Sequence, residues 1–213
     1  MKTVTIINGS CRAGGNTDHL LESLETGMAD GGLGIRKHVL RNERIDDCRG
    51  CYYCYKNQSC ALRDDMQTIH SDIQESEMMI LASPMYWWGY TGLMKTFIDR
   101  LYLYYPRKNG HLIRGKKAVI LMPMHVNEKE HGLKAYESEI EPLTMASNYI
   151  FKRLGVDIAG IKFFPGLNDK SALKAHSEYL TLSCQLGKNI ANFVNNKGKV
   201  FSGLGKRKRG DGA

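Results

Sequence analysis

The sequence predicts an α/β protein built as a doubly wound, five-stranded parallel sheet with helices on both faces. Two observations carry that prediction. Short runs rich in Val, Ile, Leu and Met alternate along the chain with stretches whose apolar residues recur at helical spacing, so that each of five strands is followed by a helix. Two of those runs, Glu77–Ser83 and Lys116–Met122, are almost continuously apolar and each stops at a proline, Pro84 and Pro123. That pattern fits strands covered on both faces.

The elements follow in order. Val4, Ile6 and Ile7 form a first strand, because β-branched side chains suit a pleated backbone. A glycine-rich turn leads into a helix through Leu20, Leu21 and Leu24, capped by Asn16 or Thr17. Gly34–Leu40 is a second strand. Met66, Ile69 and Ile73 mark a helix that Asp64 or Asp65 would cap. The run Glu77–Ser83 is the third strand, and Leu93, Phe97 and Leu101 mark a helix from Thr91 to Tyr104. Lys116–Met122 is the fourth strand, Leu143–Leu154 a helix ended by Gly155, and Val156–Phe163 the fifth strand. A last amphipathic helix is expected over Lys170–Asn195. Residues 1–200 read as one domain, and 201–213 as a basic, mobile tail.

At 213 residues, 42% hydrophobic and 9% aromatic, the chain has the composition of a folded domain with a full core. No apolar run reaches membrane-spanning length, and the N-terminus enters a strand without a charged-then-apolar leader. The default expectation is a cytoplasmic protein without a membrane partner. The formal charge of +8 raises nucleic acid as a partner. Much of the excess sits in Lys206-Arg207-Lys208-Arg209, which reads as a solvated extension rather than a nucleic-acid reader. Positive charge elsewhere would attract anionic cofactors.

In open parallel sheets, ligands collect beyond the carboxyl ends of the strands. The first such loop, Gly9-Ser10-Cys11-Arg12-Ala13-Gly14-Gly15-Asn16-Thr17, joins flexible glycines to hydroxyl and guanidinium donors at a helix start. A helix start offers unpaired N–H groups and partial positive charge, which suits phosphate. The loop lacks the Gly-Lys-Ser/Thr of a Walker A loop and the second glycine of a dinucleotide fingerprint. The plain alternative is an ordinary strand–turn–helix. The second loop, Ser83-Pro84-Met85-Tyr86-Trp87-Trp88-Gly89-Tyr90, carries four aromatics. They pack under the loop, form a subunit contact, or make a platform for a flat heterocycle, with Trp87, Trp88 and Tyr90 as a stacking pocket.

Six cysteines divide unevenly. Cys11 and Cys184 are isolated and read as small buried or half-buried side chains. Cys48, Cys51, Cys54 and Cys60 form a cluster that, in a reducing compartment, points to metal or redox chemistry. Four thiolates suit a [4Fe–4S] cluster, with Arg49, Lys56 and Arg63 offsetting its charge. Zinc and an empty thiol set are the alternatives.

Gly9-Ser10-x-Arg12-x-x-Gly15-Asn16-Thr17, then Ser83-Pro84-x-Tyr86, then Leu93-Met94-Lys95-x-Phe97-Ile98-Asp99-Arg100, resembles the NADPH-dependent FMN reductase family of flavodoxin-like proteins. The cysteine segment followed by Asp64-Asp65-Met66 resembles its iron–sulfur flavoprotein branch. The resemblance implies that Ser10, Arg12, Asn16 and Thr17 hold the FMN phosphate. It implies that Pro84, Met85, Tyr86 and Trp87 run along the ring and ribityl chain. It further implies NAD(P)H as co-substrate, hydride transfer to flavin N5, electrons passed on to a small-molecule or protein acceptor, and a homodimer or homotetramer. Cys48, Cys51, Cys54 and Cys60 would make the protein an electron-transfer flavoprotein if they hold a [4Fe–4S] cluster. Without iron it would reduce quinones, nitro compounds or azo dyes. A zinc- or nucleic-acid-binding protein is the remaining alternative. The loop Pro123–Glu130 is bulkier and more polar than its counterpart in many relatives; either His125 or Asn127 reaches the flavin's polar edge or the loop folds away, so nothing is carried over there. No side chain is assigned as a catalytic acid or base.

Overall fold

A computed structural model describes residues 1–105 and 108–196; the basic tail at 201–213 lies outside the described residues. Five strands form one parallel sheet: β1 Thr3–Asn8, β2 Gly34–Val39, β3 Met78–Ala82, β4 Lys117–Pro123 and β5 Asp157–Phe164. Their spatial order is β2-β1-β3-β4-β5. The chain leaves β1 toward one edge and returns on its other side, so the switch point lies between β1 and β3. Every strand predicted from the sequence is present, with ends shifted by one or two residues.

The helices are α1 Asn16–Asp30, α2 Tyr53–Lys56, α3 Met66–Glu75, α4 Gly92–Arg100, α5 Glu128–His131, α6 Leu133–Leu154 and α7 Glu178–Asn195. Alternating strand residues feed two cores. Ile7, Met79, Leu81, Ile120 and Met122 pack under α3, α4 and α6. Val4, Ile6, Ile80, Val119 and Leu121 pack under α1 and α7. Helices α1 and α7 touch backbone to backbone, because Gly27 and Gly187 face each other's partner helix. A Cβ on Gly27 would lie 2.0 Å from the Cys184 carbonyl oxygen, so a side chain there would force the helices apart.

Three elements depart from the sequence reading. Helix α6 begins at Leu133, ten residues before the expected start, and continues through the exposed Pro142. Its first turns bury little, so they leave no apolar period to read. The expected helix over Thr91–Tyr104 tightens into a 3-10 turn at Leu101–Tyr104. The last helix starts at Glu178 rather than Lys170, after a short 3-10 turn at Ala172–Lys174.

Candidate functional site

The loop after β1 is organised by one carboxylate. Asp18 Oδ1 accepts from Asn8 Nδ2 at 2.6 Å, and Asp18 Oδ2 accepts from the Gly14 N–H at 2.8 Å. Arg41 forks onto both oxygens at 3.1 and 2.9 Å and reaches the Ser10 carbonyl at 3.3 Å. Asn8 Oδ1 in turn accepts from the Ser10 N–H at 2.9 Å. Burial pushes the Asp18 carboxyl up, but Asn8, Arg41 and the Gly14 N–H more than offset it and hold it below the usual carboxylate range.

The cap of α1 differs from the expected one. Gly15, in extended conformation, occupies the N-cap, no side chain caps the helix, and Asn16 and Thr17 lie in its first turn. A helix start without a side-chain cap keeps its N–H donors for a ligand. Gly9 is required by packing, since a Cβ there would sit 2.7 Å from Met94 Cβ on α4.

Four strand-end loops are tied together by hydrogen bonds. Thr91 Oγ1, which also caps α4, donates to the Gly9 carbonyl at 2.6 Å. The Met85 N–H donates to Pro123 O at 2.9 Å, and the Leu167 N–H to Met124 O at 2.9 Å. Between these loops runs a cleft. Seven of the eight cofactor positions inferred from sequence line it: Ser10, Arg12, Asn16, Thr17, Pro84, Met85 and Tyr86. The eighth, Trp87, lines an adjoining hollow that shares Met85, Met124 and His125 with the cleft. Met124 and His125, from the loop after β4 that the strand-end rule had placed at the crevice, line the cleft as well, and Asn168 and Lys170, from the loop after β5, were missed by the sequence reading. The strand-end rule could have found the last two had residues 167–170 been read as a loop.

The aromatic loop closes in a tight turn. Tyr86 and Gly89 exchange both backbone hydrogen bonds at 3.0 Å, and the two central residues, Trp87 and Trp88, have φ of 48° and 57°. Glycine or asparagine ordinarily fills such left-handed positions, and bulky residues there are strained. Trp87 is 89% exposed, and its ring lies 5.7 Å from that of Trp88. Tyr90 does not join them. Its hydroxyl bonds Ser147 Oγ at 2.7 Å, and burial pushes its pKa to about 12. The stacking pocket is therefore made by the tryptophans with Met85, Met124 and His125.

The cysteine segment lies on an irregular stretch around the short helix α2. Cys48 and Cys51 are exposed, Cys54 and Cys60 half-buried, and all four are free thiols. Cys11, expected to be at least half-buried, is exposed. Burial pushes the Cys54 thiol up, and the neighbouring Cys60, Cys48 and Cys51 add to that shift. Arg49 lies 3.9 Å from Asp46, and a guanidinium the sequence reading did not assign to the thiols, Arg100 from the end of α4, donates to Cys60 Sγ at 3.5 Å. Among the described residues, no three His, Cys, Asp or Glu side chains stand together as a ready site for a single metal ion.

The topology and the cleft at its switch point define a flavodoxin-like protein. The family model for NADPH-dependent FMN reductase matches residues 1–150, and the chain belongs to that family. An iron–sulfur flavoprotein of Archaeoglobus fulgidus is 38% identical over 104 residues, which is 49% of this chain and 47% of that protein. The chain thus spans about half the length of that relative. A Bacillus subtilis protein named as an NAD(P)H-dependent FMN-containing oxidoreductase is 30% identical over 190 residues, covering 84% of this chain and 97% of that protein. In fold, the chain is similar to an NAD(P)H:quinone oxidoreductase from Methanothermobacter marburgensis, with a TM-score of 0.68 at 18% identity over 88% of this chain and 94% of that one. No helix among the described residues is long and apolar enough to cross a membrane.

FMN fits the residues present. The start of α1 leaves its donors uncapped beside the Ser10 hydroxyl, and Asn16 Oδ1 is buried without a partner, an acceptor suited to a ribityl hydroxyl. The four cysteines fit an iron–sulfur cluster in donor type, with a guanidinium at one sulfur; they do not form a closed cage.

Proposed function

We propose that this chain is an FMN-dependent NAD(P)H oxidoreductase whose cofactor lies in the cleft between the loops after β1, β3, β4 and β5. The observation that carries the reading is convergence. Residues far apart in sequence, Ser10 to Thr17 and Pro84 to Tyr86, meet in one cleft at the sheet's switch point. FMN, when bound there, would supply the redox chemistry between NAD(P)H and an electron acceptor. The chain's residues do the rest. The N–H groups of the α1 first turn, with Ser10, Thr17 and Arg12, hold the phosphate. Asn16 accepts from the ribityl chain, and Pro84, Met85 and Tyr86 lie along the ring. Trp87 and Trp88 offer a flat apolar surface at the ring's open side, where a planar acceptor stacks. No side chain is required to move a proton.

The test is the visible spectrum of the purified protein and its anaerobic reaction with NADPH. Flavin bands that bleach on adding NADPH support the reading; a protein that takes up no flavin from excess FMN overturns it.

A second reading adds a [4Fe–4S] cluster at Cys48, Cys51, Cys54 and Cys60 and makes the acceptor a redox protein. The Arg100 contact to Cys60 favours it, as does the name of the Archaeoglobus relative. About four irons per chain after anaerobic preparation would support it; flavin without iron would leave the simple reductase. A homodimer or homotetramer is the expected assembly.

A further inference from the structure

Two motif ends that play no part in flavin binding meet inside the molecule. Asp64 precedes α3 and Arg100 ends α4, and each side chain is 1% exposed. Arg100 Nη1 lies 2.5 Å from Asp64 Oδ2, and Nη2 lies 3.0 Å from Asp64 Oδ1, a two-pronged pair. The same two nitrogens reach the cysteine loop: Nη1 donates to Asp46 O at 2.7 Å, and Nη2 to Cys60 Sγ at 3.5 Å. Asp64 adds a further tie, accepting from the Asp46 N–H at 3.0 Å. Asn109 pins the other half of the loop by donating to the carbonyls of Cys54 and Asn57 at 3.2 and 3.4 Å.

A buried arginine–aspartate pair adds little stability over well-packed apolar residues, so a pair retained at a reactive side chain asks for another role. Four thiolates around a divalent metal or a cluster carry net negative charge, and a buried guanidinium at one sulfur offsets it. Outer partners of this kind orient metal ligands and tune their hold on the metal. We propose that Arg100, braced by Asp64, is the positioning residue of the cysteine site: it fixes Cys60 by its sulfur and supplies the charge that the thiolate set requires. Cys54 and Cys60 are then the pre-placed half of the site, and the exposed Cys48 and Cys51 close onto it. The proposal rests on reading the four cysteines as a thiolate site and is independent of the flavin.

The test uses the full chain with its flavin, under anaerobic and reducing conditions. Cobalt(II) is titrated against a competing chelator, and its ligand-field bands are followed at wavelengths beyond the flavin's absorption. The informative variant is the double replacement D64L/R100M, which removes the pair but keeps apolar volume. The wild type should bind one cobalt with tetrahedral thiolate bands. The double variant should bind about tenfold or more weakly, with flavin content unchanged. R100K, which keeps the charge but loses the planar fork, should recover part of the affinity. Equal cobalt affinity in wild type and D64L/R100M would overturn the proposal and leave Arg100 a packing element. If the double variant does not fold, R100K decides: severalfold weaker binding supports the proposal, and unchanged binding overturns it. A wild type that takes up no cobalt would sink the thiolate-site reading beneath the proposal, while flavin content tells separately whether the cleft holds FMN.

Discussion

Two loops of this molecule are braced by the same device, an aspartate held in the fork of an arginine, and they differ in what the arginine does next. At the loop after β1, Arg41 grips Asp18 and the Ser10 carbonyl, and so ties the loop to the start of α1. At the cysteine loop, Arg100 grips Asp64 and reaches past it to a sulfur. The first pair is partly open, with side chains 19% and 10% exposed; the second is sealed, at 1% each. One arginine bonds a carboxylate and a backbone carbonyl; the other adds a cysteine sulfur.

The largest effect expected from this contrast is on stability. Replacing Arg100 alone by Met strands the Asp64 charge in the interior and should cost about 3–5 kcal/mol in urea unfolding. Arg41→Met, at the more open pair, should cost about 1–3 kcal/mol. Equal losses would mean that burial does not separate the two pairs.

Next comes a crossover in ligand binding. Asp18→Ala removes the acceptor for Asn8, Gly14 and Arg41 together. It should weaken FMN about tenfold or more, equivalent to about 1.4 kcal/mol, while leaving the thiol loop's metal affinity unchanged. Fluorescence titration with FMN and the cobalt assay, run on the same preparation, check both halves.

A smaller effect separates the aromatic turn from either brace. Trp87→Gly relieves a left-handed residue and should stabilise the fold by about 1 kcal/mol, a rise in Tm of about 2–4 °C. Turnover of planar acceptors should fall, because the more exposed of the two indoles is gone. A lower Tm would show that the turn is not strained.

The smallest effect is on pH dependence at the sheet edge. Burial lowers the pKa of His38, but its contacts with Glu43 and Asp72, at 3.0 and 2.8 Å, outweigh burial and raise it above 6.5. A raised histidine stabilises fully below its unfolded value and loses that contribution as pH climbs through the folded one. The stability difference between wild type and His38→Gln should therefore shrink between about pH 6 and pH 8. A difference that grows over that range would reverse the assignment. Asp18 and Asp64 act oppositely: their folded values are depressed, so their contribution is present above 3.8 and lost as pH falls through the folded values.

Much of the fold was legible because the sheet is parallel and buried. Glu77–Ser83 and Lys116–Met122 read as apolar runs in the sequence, and the structure has covered strands there at Met78–Ala82 and Lys117–Pro123. That the loops after β1 and β3 meet in one cleft was legible because their glycines, hydroxyls and aromatics are unusual where they occur. The pairings of Arg41 and Arg100 were not: Arg100 stood in the motif that carries the resemblance, but the partner of each, Asp18 and Asp64, is distant in sequence. For Arg100 a faint signal existed. It falls three residues after Phe97, on the face that also carries Leu101, where a charge must find a partner. The extra turns of α6 and the cleft residues Asn168 and Lys170 left no periodic signal, since exposed helix and irregular loop both lack one.

The most direct measurement is the affinity of the apoprotein for FMN against riboflavin, which differs only in lacking the phosphate. A phosphate seated at the start of α1, beside Ser10, Arg12 and Thr17, predicts that FMN binds at least about a hundredfold more tightly, or about 2.8 kcal/mol. Equal affinity for the two would contradict the account.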